Sequence, residues 1–294
     1  MPSSIENASQ RKGELFAVTL TLIEAWFPIF AFFTVTALGG LHAYFYSLSV
    51  AAMFLGGWWV LRRKVHEVRD RQAYFPLAMT GLLITSVFAL VFTALQYTSP
   101  NNVALILFLQ VLFSYLFLGR KQGERLSVLH TLGVILMTLG AVLVLFPEHF
   151  VLRLGDLLVL LAAMLAPIGN LYQKQARQSV SSETILLVRT LLALPFLYAL
   201  ARLFEPSPSW GQIEQQAIWL LLTGLLVFTV SKIFWVEALH RLPITKVNAL
   251  YAISPLLTIA LSYWLLDDLP TPSQMAGVIP ILLGGILLTR RAKA

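Results

Sequence analysis

Residues 94–144 read ALQYTSPNNVALILFLQVLFSYLFLGRKQGERLSVLHTLGVILMTLGAVLV, and the chain contains this stretch a second time in altered form. Displaced by 144 positions without a gap, it falls on residues 238–288. Only 10 of the 51 aligned residues are identical, so identity decides little in a chain this rich in Leu and Ala. The shared spacing decides more, because each copy has two apolar segments, a short break, and glycines seven positions apart. An internal duplication therefore organises the chain.

Composition indicates a membrane protein. Of the 294 residues, 58% are hydrophobic and 12% are charged, whereas a soluble domain carries about 25% charged residues. Ten apolar runs are long enough to cross about 30 Å of hydrocarbon as helices, and they are too continuous for barrel strands. The predicted spans are 14–36, 43–61, 73–97, 102–119, 128–147, 155–176, 183–204, 214–240, 244–265 and 272–290.

The basic residues predict the orientation of these spans. Taken alternately, one set of termini and connections holds 17 of the 21 lysines and arginines, and the other set holds only Arg153 and Arg202. Cytoplasmic loops collect Lys and Arg, so we expect a multi-pass protein of the cell (inner) membrane. Its cytoplasmic tails are residues 1–13, a polar stretch expected to be loose, and residues 291–294. This bias explains the net charge of +7 without a nucleic-acid partner.

The two copies begin five spans apart, and because five is odd the second copy must be inverted in the membrane. The sequence thus predicts an all-α integral membrane protein of ten transmembrane helices. They form two inverted five-helix repeats, residues 14–147 and 153–290, around a central cavity. Secondary transporters use this architecture, with a solute site near the membrane middle between the repeats.

Polar and aromatic residues inside the spans are candidates for that site, because a charge in the bilayer core is costly and usually has a partner or a role. Lys232 could instead form a structural pair with Glu237 or snorkel to the inner surface. Glu24 could be an ion-pair partner of Lys232 or Arg189, and the amides could bridge helices by hydrogen bonds. Tryptophan and tyrosine could lie at the membrane interface. The predicted substrate-binding residues are Glu24, Trp26, Gln110, Asn170, Lys232, Trp235, Asn248, Tyr251 and Ser254.

Other intramembrane residues have simpler explanations. For Arg189, near the start of its span, snorkelling or helix tying is favoured over solute contact. Lys246 attracts anions or follows the inside-positive bias. Prolines 28, 167 and 255 are predicted hinge or gating positions, because proline interrupts helical hydrogen bonding. Spans 5 and 10 carry glycines for close packing, within a monomer or between the subunits of a homodimer.

Motifs of soluble enzymes are absent from the sequence. It has no phosphate-binding Walker loop, no dinucleotide-binding glycine pattern and no His-Glu-x-x-His motif. The five histidines are scattered, so no metal site is expected, and no cofactor is predicted. We therefore expect no catalytic residues and a partner set limited to a small-molecule substrate and the lipid bilayer.

The spans, the duplication and several motifs resemble the drug/metabolite transporter superfamily, specifically its EamA-type permeases. The similar features are the Ala-Leu-x-Tyr-Thr-Ser end of span 3 (94–99), the Gly-Glu-Arg-Leu-Ser break (123–127) and Gly133 with Gly140. In the second half, Pro255 in span 9 matches, but the first half has Val111 at the equivalent position, which predicts that span 4 lacks a kink.

The resemblance implies secondary transport by alternating access, commonly export of amino acids or other small metabolites, through a cavity lined by spans 1, 3, 4, 6, 8 and 9. The leading hypothesis is an inner-membrane permease for an amino acid or a similar solute. The alternatives are an exchanger of anionic metabolites using Lys232, Arg189 and Lys246, a drug efflux permease, and, from another class, a membrane scaffold or integral-membrane enzyme.

Overall fold

The computed structural model describes residues 4–118, 128–145, 153–242 and 244–289, and this part of the chain is helical with no β-strand. It includes a π-helix (Thr223–Ser231) and two short 3₁₀ helices (Lys64–Arg69, Arg71–Ala73). The α-helices are α1 (Ser4–Glu24), α2 (Phe27–Leu38), α3 (Gly40–Leu61), α4 (Tyr74–Ala94), α5 (Pro100–Phe108), α6 (Gln110–Leu118), α7 (Val128–Leu145), α8 (Leu154–Ala176), α9 (Ser182–Phe204), α10 (Trp210–Gln215), α11 (Ala217–Leu222), α12 (Lys232–Arg241), α13 (Ile244–Tyr251), α14 (Ser254–Leu266) and α15 (Pro272–Thr289).

Seven helical segments are long and apolar enough to cross a membrane, which confirms a multi-pass all-α membrane protein. Three further apolar helices are shorter, so the count of ten crossings stays a prediction. The seven are Ala8–Leu38, Gly40–Leu61, Arg71–Ala94, Pro100–Leu118, Leu154–Ala176, Ser182–Phe204 and Ala217–Arg241, and the three are Val128–Val144, Ser254–Leu266 and Pro272–Leu288.

The amino-terminal segment differs from the expectation of a loose tail. Residues 4–13 form the first turns of α1, so that expectation is wrong for the described part of the tail. Glutamate, alanine, glutamine, arginine and lysine in this stretch are good helix formers, and they extend the apolar helix that follows. Gly13 packs closely against Leu242, where a Cβ atom would lie 2.8 Å from the leucine side chain. Residues 291–294 lie outside the described residues.

Three predicted spans are interrupted near their middles. Pro28 follows the break between α1 and α2, and Pro255 follows the break between α13 and α14. Span 4 also breaks, at Leu109 between α5 and α6, although no proline is present there, so the prediction of an unkinked span 4 is wrong. Pro167, in contrast, lies inside the continuous helix α8. The Gly-Glu-Arg-Leu-Ser break lies outside the described residues.

The breaks in spans 1 and 9 lie against each other, and a threonine side chain forms a hydrogen bond between them. Thr258 of α14 donates its hydroxyl proton to the carbonyl of Ala25 at 2.9 Å. The Thr21 hydroxyl of α1 donates to Ala17 in its own helix at 2.7 Å and lies 3.4 Å from the carbonyl oxygen of Leu250. A broken helix leaves backbone carbonyls without an intrahelical donor, and in lipid each such group needs another partner. The two interruptions are therefore joined across the boundary between the repeats.

The glycines of α7 and α15 show how the two copies pack. A Cβ atom on Gly133 would lie 2.9 Å from the carbonyl oxygen of Gly284, and one on Gly140 would lie 2.7 Å from that of Gly277. Gly277 and Gly284 are the repeat equivalents of Gly133 and Gly140, so each glycine meets the equivalent of the other. This reciprocal pairing is that of a two-fold interface between antiparallel helices.

A second pair of contacts between the two repeats is also related by symmetry. Gly155 at the start of α8 packs on Thr98 beyond α4, and Gly13 of α1 packs on Leu242 beyond α12. Thr98 and Leu242 are 144 positions apart, the offset of the duplication, and Gly13 and Gly155 are 142 positions apart. Consequently α8 lies along α4 as α1 lies along α12, and each of these interfaces joins one repeat to the other.

Candidate functional site

A cavity lies between the two repeats near the middle of the helices, and α1, α2, α4, α5, α6, α8, α9, α12 and α13 contribute to its wall. The volume of the cavity is about 50 Å³, which is room for a few water molecules and not for a metabolite. Its polar and charged lining residues are Glu24, Gln110, Asn170, Gln173, Arg189 and Lys232, and its aromatic lining residues are Phe27, Phe88, Trp235 and Tyr251.

Glu24 and Lys232 form a buried ion pair at the cavity wall. The Lys232 Nζ lies 2.6 Å from the Glu24 Oε1, and Ser231 donates its hydroxyl proton to the same oxygen. Both residues are at least nine-tenths buried, and buried charges are tolerated when they are paired and hydrogen-bonded. The pair joins the first repeat to the second, since Glu24 ends α1 and Lys232 begins α12.

The π-helix positions Ser231 and Lys232. It ends at Ser231, and α12 begins with the lysine, so the change of helical pitch falls at the cavity. Its wider turns bond i to i+5, a rare geometry that is frequent at functional sites. Gly224 lets this helix approach α3, because a Cβ there would lie 2.6 Å from the carbonyl oxygen of Ser47.

Arg189 of α9 also lines the cavity and is 4% exposed. One guanidinium nitrogen donates to the Gln173 Oε1 at 3.2 Å. Among the described residues, no carboxylate lies within 4.0 Å of this guanidinium. A snorkelling arginine would reach the membrane surface, whereas this side chain is enclosed by protein.

Trp235 ties together three helices at the side of the cavity nearer to Arg177 and Arg241. Its indole N–H donates to the Asn170 Oδ1 at 3.1 Å, and its ring meets Tyr251 edge-on with centroids 5.6 Å apart. Beyond it, the Arg177 Nε lies 2.9 Å from the Glu237 Oε1, and Arg241 pairs with the same glutamate. We call the end of the molecule that holds Arg177, Glu237 and Arg241 the basic face.

On the side away from the basic face the cavity is closed by aromatic rings. Phe228 contacts Phe27, Phe92 and Tyr44 with centroid distances of 6.2, 6.0 and 5.4 Å. All four side chains are at most 2% exposed. The cavity is therefore bounded by apolar packing on one side and by hydrogen bonds and ion pairs on the other.

The structure brings together six of the nine predicted substrate-binding residues. Two lie elsewhere, and the side chain of Asn248 lies outside the described part of the chain. Trp26 stacks on Phe30 in a groove with Leu22 and Leu226, and Ser254 is buried beside the break in span 9. The six that line the cavity are Glu24, Gln110, Asn170, Lys232, Trp235 and Tyr251.

Sequence reasoning missed two polar lining residues. Gln173 follows Asn170 by three positions, so the two share a helix face, and this spacing was the available signal. For Arg189 the sequence favoured snorkelling or helix tying. Its bond to Gln173 does tie α9 to α8, but the side chain also lines the cavity, for which a charge inside an apolar run was the signal. Lys246 pairs with Glu14 and does not line the cavity.

The sequence was then compared with known proteins. The model of the EamA-like transporter family matches residues 11–146 and again residues 153–290. The chain belongs to the EamA-like transporter family. This membership makes the protein a membrane transporter rather than an enzyme, and it confirms the resemblance to the drug/metabolite transporters and the two-repeat architecture.

Two similar proteins extend the finding. An uncharacterized transporter of Synechocystis sp. is 25% identical over 238 residues, covering 76% of this chain and 68% of its own length. A protein of known crystal structure superposes with a TM-score of 0.72 at 18% identity, covering 95% of this chain and 97% of the other. At this identity the second similarity concerns the fold of this EamA-like transporter alone.

Proposed function

We propose that this EamA-like transporter is a permease that moves a small metabolite, an amino acid or a similar solute, outward across the cell (inner) membrane. The observation that carries the proposal is the enclosed cavity at which Glu24 of one repeat pairs with Lys232 of the other. A solute with a carboxylate and an amino group presents the two charges that could replace this pair, the carboxylate to Lys232 and the amine to Glu24.

Alternating access supplies the movement in this proposal. The enclosed space is smaller than an amino acid, so a solute enters only when one side opens. Opening toward the basic face separates Arg177 from Glu237 and Trp235 from Asn170. Opening away from it parts the rings around Phe228. The breaks before Pro28 and Pro255 lie next to the cavity, where local bending would move Glu24 and Tyr251, and Pro167 is the third candidate hinge.

The basic face is cytoplasmic in this proposal, because Lys and Arg concentrate at the cytoplasmic side of membrane proteins. The chain has no cysteine, so single cysteines can report the side on which a residue lies. Ser179→Cys at the basic face should be labelled by a membrane-impermeant maleimide only after the cells are permeabilised. Ser207→Cys at the opposite face should be labelled in intact cells, and the reverse pattern would overturn the orientation.

Transport into proteoliposomes tests the site. The wild type should accumulate at least one member of a panel of radiolabelled amino acids and small carboxylates, and Lys232→Ala and Glu24→Gln should abolish this uptake. Lys246→Ala is the matched control, because its ammonium pairs with Glu14 outside the cavity. Full uptake of every solute by both cavity variants would remove the ion pair from the site.

A further inference from the structure

The charges around the cavity do not cancel. Glu24, Lys232 and Arg189 are the ionisable acid and base residues among its described lining residues. The first two form a pair whose total charge is zero, whether the proton resides on the lysine or on the glutamate. The charge of the cavity is therefore that of Arg189.

Arg189 keeps its positive charge, because a guanidinium is not deprotonated in proteins. Its acceptor in the described structure is Gln173, whose amide oxygen is neutral. A guanidinium offers five N–H donors, and Gln173 uses one of them at a side chain that is almost wholly buried. Glu24, the carboxylate of the described lining, is already paired with Lys232, so the cavity holds one positive charge in excess, and an unpaired buried charge is costly.

We infer that the transported solute carries one net negative charge, and that within the proposed range of substrates it is an acidic amino acid. This inference rests on the proposed function and narrows it. Such a solute bears one ammonium group and two carboxylates. These match one acid and two bases in the wall, with Glu24 facing the ammonium, Lys232 facing one carboxylate and Arg189 facing the other.

Other charge states fit less well. A neutral zwitterion satisfies Glu24 and Lys232 and leaves Arg189, which is 4% exposed, without an anion. A cationic solute adds a second uncompensated positive charge. Arginine binds a carboxylate through two parallel charge-assisted hydrogen bonds, which are stronger than its present bond to a neutral amide. Arg189 thus acts as the specificity-determining residue of the site.

Ligand-dependent thermal stability of the purified, detergent-solubilised protein tests the inference. The probes are L-glutamate against L-glutamine and L-aspartate against L-asparagine, because each pair differs in charge and hardly in size. The acids should stabilise the wild type at concentrations at least about tenfold below those of their amides, the factor expected for a charged hydrogen bond. Arg189→Gln should abolish this preference, and Arg189→Lys, which keeps the charge, should retain it.

Equal stabilisation by acids and amides, or stabilisation by neither acid, would overturn the inference, as would an unchanged preference in Arg189→Gln. If Arg189→Gln does not fold, the wild-type preference and the Arg189→Lys variant still decide the matter. If neutral amino acids are transported and their transport depends on Glu24 and Lys232, the proposed function stands, and only the inference of a net negative solute is overturned. Transport of acidic amino acids that ignores Glu24 and Lys232 defeats the proposed site instead.

Discussion

Phe88 and Lys232 contact each other, and the 144-residue offset relates them when it is continued six residues before the duplicated stretch. Residue 88 plus the 144-residue offset gives 232, and the Lys232 Nζ lies 4.9 Å from the centroid of the Phe88 ring. Residues that touch their own equivalents lie at the axis relating the two copies. The site is thus symmetric in backbone and asymmetric in chemistry, because one copy supplies a ring where the other supplies an ammonium group.

This contact predicts a measurable role for the ring. Phe88→Leu keeps an apolar side chain but removes the ring face that attracts the ammonium, which should cost about 0.5–2 kcal/mol beyond the loss of packing. SDS-induced unfolding in mixed micelles measures the loss. Phe196→Leu, at a ring 70% exposed on the surface of α9, is the control and should change little. Equal losses in the two variants would argue against a special role for Phe88.

The Glu24–Lys232 pair predicts a difference between single and double variants. Glu24→Gln leaves the Lys232 ammonium without its carboxylate and should lower stability by about 3–5 kcal/mol, whereas Lys232→Met leaves Glu24 and Arg189 as opposite charges in the cavity and should lower it less. The double variant has no such unpaired ammonium and should regain most of the stability lost by Glu24→Gln while remaining unable to transport. Thermal unfolding and proteoliposome uptake are measured on the same three preparations. A double variant less stable than both single variants would contradict this account.

The glycine contacts between α7 and α15 predict intolerance to any side chain. Gly140→Ala places a Cβ atom 2.7 Å from the carbonyl oxygen of Gly277, so the helices must move apart, at a cost of about 1–3 kcal/mol. Gly57→Ala is the matched control, because an added Cβ there has no neighbour within 4 Å and alanine favours the helix. A lower unfolding temperature for Gly57→Ala than for Gly140→Ala would refute the packing argument.

Glu67, in the connection between α3 and α4, predicts a dependence of stability on pH. Burial by itself raises the pKa of Glu67, but hydrogen bonds from Thr184 and Ser181 outweigh burial and lower the pKa below its ordinary value of 4.5. The backbone N–H of Ser181 donates to it at 2.8 Å and the Thr184 hydroxyl at 2.6 Å. The carboxylate thus stabilises the folded state.

Because the folded-state pKa is lowered, this stabilisation is complete above the ordinary pKa and is lost as pH falls through the lowered value. Glu67→Gln should lower the melting temperature near neutral pH and flatten its fall under acid conditions. Glu214→Gln, at an exposed position on α10, should follow the wild-type profile. A Glu67→Gln profile parallel to that of the wild type at all pH values would exclude this role.

Closure at the basic face predicts a change in accessibility. Glu237→Gln weakens the bonds to Arg177 and Arg241, so the basic face should open more often. Ala166→Cys, at a buried position on the cavity wall, should then react several-fold faster with a water-soluble thiol reagent applied from that face. The same cysteine with Glu214→Gln is the control. Equal rates in the two backgrounds would exclude Glu237 from the closure.

The sequence carried much of the fold because the duplication is ungapped over 51 residues and its glycines are evenly spaced. It also identified Glu24 and Lys232, since charges inside apolar runs are rare and have few explanations. It could not show the break at Leu109, where no proline marks the turn, or the π-helix before Lys232, which depends on packing against α3. It could not place Arg189 at the cavity either, because depth along a span does not reveal which face of the helix meets protein.

The packing of α1 on α12 and of α8 on α4 bears on how such a molecule could move. If residues up to 145 and residues from 153 onward shifted as two rigid blocks, the α1–α12 and α8–α4 interfaces would both have to slide at once. The threonine bond between the broken helices would have to part as well. A motion that keeps these two interfaces intact moves α1 together with the second copy and α8 together with the first. Each moving unit then contains the first helix of one repeat and the remaining helices of the other, so the moving units differ from the repeats as they follow along the chain.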